Sequence, residues 1–162
     1  MGAQAYKVIR LLPKQLVVQA ASIYAAGDLL HDSLLTLSNA LQKERHSGKI
    51  VGVSVTDKAG QNAALTIEFF SRSVGGTFTA NTAPDVDDAD LANFLGRVSV
   101  AAADYKAYAD NSVASVQCNV PVASNASSGE PSRDLYMMVL SQGTPTYAST
   151  SDISVNIFLE QD

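Results

Sequence analysis

Two neighbouring segments of the chain alternate between apolar and other residues with a period of two. They are residues 51–55 (VGVSV) and residues 65–69 (LTIEF). Alternation of this kind places one set of side chains on a buried face and the other set toward solvent, as in a half-buried β-strand. The link at 57–62 (DKAGQN) has turn composition. We therefore predict two strands that pair as a hairpin.

Most of the remaining sequence also has the pattern of short strands separated by turn residues. A short helix is predicted within 84–95, and the last strand is predicted to lie inside a sheet. The chain is therefore predicted to be an all-β sandwich or jelly roll of eight or nine short antiparallel strands with one short helix. It is read as one domain over 1–162, in which 1–13 is either an N-terminal arm or an ordinary first strand. Further strands are predicted at 5–12 (closed by Pro13), 15–20, 34–38, 77–79, 97–100, 113–122, 133–142 and 153–160.

Residues 29–41 are open to two interpretations. The leucines at 30, 34, 37 and 41 have the spacing of a helical stripe, and Asp28 could cap such a helix. Leu35 and Leu37, in contrast, alternate with Thr36 and a serine as in a strand. Because the surrounding pattern is β throughout, we favour a strand at 34–38.

Buried and contact positions follow from the same alternation. The strand at 133–142 is apolar on both faces, so one face is predicted to meet the core and the other, with Tyr136, Met138 and Leu140, to meet a partner. The predicted core consists of Val51, Val53, Val55, Leu65, Ile67, Phe69, Val116, Val120, Val155 and Ile157.

Composition and charge exclude several classes of protein. The 162 residues are 46% hydrophobic and 17% charged, with a formal net charge of −5. No basic run is present to displace counterions from phosphate, so nucleic-acid binding is not expected. The single cysteine rules out an internal disulfide, and no apolar run approaches the length of a membrane span. With no signal-peptide pattern, we expect synthesis in a reducing cytoplasm.

No arrangement of residues indicates catalysis, a metal or a cofactor, so an enzyme is not expected. His31 and His46 lack nearby partners, and Cys118 is predicted to be a small buried side chain. Asn125 begins a glycosylation sequon that we attribute to chance. The acidic residues Asp85, Asp87, Asp88 and Asp90 lack the spacing of a calcium loop, and helix capping explains them better.

Several short segments, taken in order, resemble a family of small tailed-bacteriophage virion proteins. They are 26–29 (AGDL), 48–58 (GKIVGVSVTDK), 64–70 (ALTIEFF), 88–91 (DADL), 133–136 (RDLY), 143–148 (GTPTYA) and 152–155 (DISV). The family is that of capsid decoration or cement proteins, which are jelly-roll-like, and the resemblance extends from about residue 26 to the C-terminus.

The resemblance implies a role and partners. The chain would bind the major capsid protein on the outer surface of the assembled shell and stabilise the joints between capsomers. It would also associate with itself, as a trimer rather than a dimer. The arm, with Lys7 and Arg10, is the candidate clamp on a neighbouring subunit.

Two alternatives remain open at the level of the sequence. One is a tail or baseplate subunit. The other is a carbohydrate-binding β-sandwich, for which the available aromatic residues are Tyr105, Tyr108 and Tyr147 in a chain without tryptophan.

Overall fold

The computed structural model of the chain describes residues 8–42, 47–124 and 132–161. These residues form strands and two short 3-10 helices at Asp88–Asn93 and Ala102–Asp104. The strands are β1 (Val8–Gln15), β2 (Leu35–Leu37), β3 (Ser47–Asp57), β4 (Leu65–Phe70), β5 (Gly76–Thr77), β6 (Asp85–Val86), β7 (Phe94–Val100), β8 (Tyr105–Ala107), β9 (Ser112–Ala123), β10 (Leu135–Ser141) and β11 (Ile153–Gln161).

The strands form two main sheets with the strand order of a jelly roll. The first sheet has the order β1-β11-β3-β9-β8 and the second has the order β2-β10-β4-β7. All neighbours in both sheets are antiparallel. Strands β5 and β6 form a separate two-stranded ribbon, and β8 is a short addition to one edge. The eight other strands are paired in a nested way along the chain, first with last, second with next to last, and so inward. This nesting confirms the predicted fold class.

One apolar core lies between the two sheets. The inward residues of β11 (Ile153, Val155, Ile157 and Leu159) are all fully buried. This strand lies between β1 and β3, which confirms that the last strand is internal to a sheet. The second sheet contributes β4 and β10 to the same core from the opposite side. Most of the predicted core positions are therefore correct.

The predicted hairpin between the strands that we now label β3 and β4 is wrong. Both strands exist, but they belong to different sheets. The loop between them crosses the sandwich and is held by the buried carboxylate of Asp57. Its two oxygens accept hydrogen bonds from the backbone N–H groups of Ala59 at 3.0 Å and Asn62 at 2.9 Å. Alternation indicates the buried face of each strand, but both sheets bury a face against the same core, so alternation does not choose the partner.

Val51 is not a core residue, because β3 contains a bulge. The register of β3 shifts between Ile50 and Gly52 against both of its neighbours. An extra residue in one strand moves the following side chains to the opposite face. Ile50 is consequently buried and Val51 faces outward and is half-buried, while Val53 and Val55 are buried as predicted. The predicted core residue Val116 is only partly buried.

Strand β1 continues past Pro13, which was predicted to end it. Among the described strands it lies at the edge of its sheet and pairs with β11 alone. The N–H of Leu16 points toward β11, where it donates to the carbonyl of Ile153 at 3.0 Å. Because successive backbone N–H groups alternate in direction, the nitrogen of Pro13 points to the edge away from β11. The N–H that proline lacks is therefore not one that would bond to β11. Residues 16–19, within the predicted second strand at 15–20, are not a regular strand.

The segment 29–41 contains the short strand β2 and no helix, so the strand interpretation is confirmed. Leu30, Leu37 and Leu41 are nevertheless fully buried, and Leu34 is half-buried. These leucines are therefore buried although the backbone that carries them is mostly irregular, and their helical spacing does not correspond to a helix. Residues 29 and 30 run beside β10 next to β2. Leu29 forms an isolated antiparallel bridge with Leu140, and the N–H of Leu30 donates to the carbonyl of Val139 at 2.9 Å.

The predicted helix at 84–95 is reduced to the 3-10 helix Asp88–Asn93. The acidic residues do not cap it, since Asp87 at its N-cap makes no side-chain hydrogen bond to the helix. Asp90 instead forms an ion pair with Arg72 at 2.6 Å and accepts from the N–H of Gly75 at 2.7 Å. The backbone bond and the guanidinium together lower the pKa of the Asp90 carboxyl. Asp90 therefore ties the helix to the segment between β4 and β5.

Candidate interaction surface

The first sheet presents a broad outer face to solvent. We use the term outer face for the side chains of this sheet that point away from the core. They are Ile9, Leu11, Pro13 and Gln15 of β1, Ser154, Asn156, Phe158 and Glu160 of β11, Lys49, Val51, Ser54 and Thr56 of β3, Val113, Ser115, Gln117, Asn119 and Pro121 of β9, and Lys106 of β8.

The edge strand β1 carries exposed apolar side chains on this face. Ile9 is 59% exposed and Leu11 is 50% exposed, and Val17, just beyond the strand, is 67% exposed. The alternate residues Leu12 and Leu16 are buried in the core. The strand is thus apolar on both faces, although only one face meets the interior. Contiguous exposed apolar side chains beside an open edge are typical of surfaces that another chain covers.

A shallow groove lies next to this stripe. Its volume is about 230 Å³, and it is lined by Ile9, Val51, Gly52, Phe158 and by residues 115–117 of β9. Phe158 lies directly across from Gly52, and a side chain at Gly52 would meet the Phe158 ring at 3.7 Å. The absence of a side chain at Gly52, together with the adjacent bulge, opens the groove. It can accept one apolar side chain of a partner.

Few charges interrupt the outer face. Among the outward positions of the described strands of the first sheet, the charged residues are Lys49, Glu160 and Lys106. Lys49 and Glu160 are directly opposite each other on β3 and β11, where opposite charges compensate. The other polar positions are serine, threonine, asparagine and glutamine. Covering such a face costs little desolvation of charge, which favours contact with another protein.

The predicted contact residues are not on this face. Lys7 lies outside the described residues, and the half-buried Arg10 points inward, where its guanidinium donates to the carbonyl of Asn39. Tyr136 is half-buried on the second sheet, and burial raises the pKa of its hydroxyl.

Met138 and Leu140 are covered by the chain itself. They are only 3% and 9% exposed, beneath a second apolar cluster that also contains Leu29, Phe70 and Val74. The prediction that this face of β10 is covered was correct. The prediction that a partner covers it was wrong, because residues 29–34 and the region around the ribbon of β5 and β6 already do so.

Side chains considered for chemistry are mostly enclosed. Cys118 is partly buried, and burial raises the pKa of its thiol, which keeps the thiol protonated. Of the three tyrosines considered for sugar binding, Tyr147 is 1% exposed and Tyr105 is half-buried, whereas Tyr108 is 60% exposed. They therefore do not form a flat aromatic platform. His46 and Asn125 lie outside the described residues.

His31 is fully buried beside β10, which the sequence did not indicate. Its Nε2 accepts a hydrogen bond from the N–H of Val139 at 3.2 Å, and its Nδ1 lies 3.3 Å from the carbonyl oxygen of Asp32. A neutral imidazole protonated at Nδ1 satisfies both contacts. Burial lowers the pKa of this imidazole. The ring fastens the covering segment 29–34 to the second sheet.

Within the described ranges, no group of three or more His, Cys, Asp or Glu side chains is placed to hold a metal ion. The same ranges contain no helix of the length and apolarity that a membrane span requires.

Comparison with known proteins gives distant structural matches. No family model matches the chain, and no curated protein matches it at a significant level. The chain is similar to a chain in the structure of deformed wing virus carrying the GFP gene, with 12% identity and a TM-score of 0.41 over 94% of this chain and 75% of that one.

Two other virus structures match over similar lengths. One is turnip yellow mosaic virus, at 14% identity and a TM-score of 0.30, covering 99% of this chain and 82% of that one. The other is the native virion of Kashmir bee virus at acidic pH, at 10% identity and a TM-score of 0.35, covering 96% and 70%. Superpositions of this kind are too distant to transfer a role. The jelly-roll assignment rests on the strand order of the chain itself.

Proposed function

We propose that this chain is a virion structural protein of the capsid decoration or cement kind. Its partner would be the major capsid protein at the outer surface of an assembled shell, and its action would be to stabilise the joints between capsomers. The protein would be made in the host cytoplasm and would have no catalytic role.

The observation that carries the proposal is the outer face of the first sheet. It combines an exposed apolar edge, a small groove and a nearly uncharged surface in a chain whose net charge is −5. Jelly rolls occur in capsids, lectins and cupins, so the fold is compatible with the role and does not specify it. The resemblance of the sequence to tailed-phage virion proteins points to the capsid among these uses.

The energetics of cementing follow from linkage. A protein that binds the assembled shell and not the separated capsomers stabilises assembly by mass action. A contact of about 1,200–2,000 Å² is typical of stable attachment. Many copies act on one particle, so each contact can be modest. Shells that lack the protein are expected to assemble but to open at a lower temperature.

The test measures whether the protein co-sediments with assembled shells of its virus and with capsomers separated from those shells. Leu11→Glu places a charge on the outer face and is expected to abolish binding to shells. Leu91→Glu is the matched control, since Leu91 is similarly exposed, at 55%, but lies in the 3-10 helix and not on this face. Both variants should fold, because surface substitutions change stability little.

Two results would contradict the proposal. Undiminished binding of the Leu11→Glu variant would remove the outer face as the contact surface. Failure of the unaltered protein to bind shells, together with binding to a polysaccharide, would favour the carbohydrate-binding alternative.

A further inference from the structure

Three buried polar groups lie on segments that meet at the end of the sandwich where β3 leaves the first sheet. They are the hydroxyls of Ser112 and Tyr147 and the side-chain oxygen of Asn62, and none has a hydrogen-bond partner among the described residues. Ser112 is 0% exposed and Tyr147 is 1% exposed. Leaving such groups unpaired in the interior is destabilising, and native proteins seldom do so.

The fold brings these groups to one place. Ser112 lies directly opposite Asp57 in the pairing of β9 with β3, and both side chains face inward. Asn62 donates its N–H to Asp57 at 2.9 Å. The segment that carries Tyr147 is tied to the crossing loop, because the N–H of Thr146 donates to the side-chain oxygen of Gln61 at 3.3 Å. Burial and then the charge of Asp57 raise the pKa of the Tyr147 hydroxyl.

The cluster contains both hydrogen-bond acceptors and hydroxyl donors that do not bond to each other directly. The Asp57 carboxylate has about four acceptor positions, and two of them receive the N–H groups of Ala59 and Asn62. Ser112 and Tyr147 each have a hydroxyl to donate, but neither reaches an acceptor directly. A water molecule both donates and accepts and can connect groups that stand too far apart for a direct bond.

The neighbouring Tyr24 has a buried hydroxyl that does form direct hydrogen bonds with the protein. The rings of Tyr24 and Tyr147 are 5.8 Å apart in an edge-to-face contact, and both residues are 1% exposed. The Tyr24 hydroxyl donates to the carbonyl of Leu30 at 3.1 Å and accepts from the N–H of Gln19 at 2.7 Å. Two equally buried, adjacent tyrosines therefore differ in that one bonds to the protein directly and the other does not.

We propose that Asp57, Asn62, Ser112 and Tyr147 form a binding site for internal water, which links the crossing loop after β3 to β9 and to the segment after β10. The bound water is an integral part of the fold at this end of the sandwich. The site is independent of the outer face and of the proposed function.

The test is the sign of the change in the urea unfolding midpoint. If water connects the groups, Tyr147→Phe and Ser112→Ala each remove a real hydrogen bond, and each should lower the midpoint. Because the two hydroxyls share the same water, the double variant should lose less than the sum of the single losses. Tyr24→Phe is the control, because it removes direct hydrogen bonds and must lower the midpoint whether or not water is bound.

Three outcomes would overturn the proposal. One is a midpoint that rises or stays the same in Tyr147→Phe and Ser112→Ala while it falls in Tyr24→Phe, since the hydroxyls would then be unpaired. Another is strictly additive losses in the double variant. The third is a fall in the midpoint of the unaltered protein upon addition of EDTA, which would indicate a metal ion in place of water.

Discussion

At the scale of the residue, His31 has consequences that its position in the sequence does not reveal. The imidazole accepts a hydrogen bond at Nε2 from the backbone of β10, so it must be unprotonated there to keep that bond. Its pKa is lowered by burial, an effect partly opposed by nearby backbone carbonyls and by the charge of Asp32. The fold therefore favours the neutral ring.

The first prediction concerns stability in acid. A histidine has a pKa near 6.5 when unfolded, and the folded pKa of His31 lies lower, so the unfolded chain binds the proton more readily. The contribution of His31 is therefore fully present above about pH 6.5. It is lost as the pH falls, and the loss is complete below the folded pKa.

Glutamine at this position retains an acceptor and does not titrate. We expect His31→Gln to reduce the difference between urea midpoints measured at pH 7.5 and pH 5. The carboxylates contribute equally to both proteins, so the comparison isolates the imidazole. Identical pH dependence of the two proteins would show that His31 does not couple stability to protonation.

The second prediction concerns the core side of β4. Ile67 and Phe69 are fully buried between the sheets. Replacing either one by alanine should cost about 2–5 kcal/mol, from lost transfer free energy and the cavity left behind. Val17→Ala is the control, because Val17 is 67% exposed and its truncation should change stability by less than about 0.5 kcal/mol. A melting curve unaltered by both core substitutions would contradict this role of β4.

At the scale of the element, β1 decides part of the alternative between arm and first strand that the sequence left open. Residues 8–13 are part of a strand in the chain's own first sheet, so this part of the predicted arm is an ordinary first strand. The strand also leaves one edge open. Whether residues 1–7 act as a clamp remains a proposal, since they lie outside the described residues.

The third prediction is that deletion of Met1 to Lys7 leaves a folded protein. Among the described residues, β1 pairs with β11 from Val8 to Gln15, and the deletion leaves all of these pairs in place. If the deleted segment is a clamp, the folded protein should no longer sediment with shells. A folded deletion that binds fully would refute the clamp, and a deletion that fails to fold would show that β1 depends on the preceding residues. Circular dichroism and the sedimentation assay together distinguish these results.

The elements also show where reasoning from sequence succeeds. The alternation in β3, β4, β9 and β11 was enough to locate these strands and most of their buried residues. It did not show that β3 and β4 lie in different sheets, because both bury a face against one core. The bulge beside Val51 could not be predicted from the sequence either. Valine is common on both faces of a strand, and an extra residue does not disturb the pattern of a run of apolar positions.

At the scale of the whole molecule, the proposed function leads us to expect that the protein associates with itself. Closed symmetry allows one surface to serve every copy in an assembly. We expect a trimer, with three times the 17.0 kDa mass of the chain, in sedimentation equilibrium at micromolar concentration. Only monomers in solution, together with isolated copies on the virion, would contradict this fourth prediction.

The candidate surface was harder to predict than the fold. Sequence reasoning chose β10 because it is apolar on both faces, but the chain covers the second face with its own residues 29–34. The same double-sided pattern in β1 at Ile9, Leu11 and Leu12 was the informative signal. The sequence alone cannot separate the two cases, because what covers a strand is decided by distant parts of the chain.

The position of β11 between β1 and β3 also determines when this protein can fold during its synthesis. Leu12 pairs with Ile157, and Ile157 pairs with Val53, so the first strand has no place in the sheet until residues 153–161 have left the ribosome. Contacts so far apart in sequence also close slowly. Until then the nascent chain carries both β1 and one side of β3 unpaired, with their apolar residues accessible to other chains. A product truncated before Ile153 would therefore be a substrate for chaperones or proteases, and not a shorter version of the same fold.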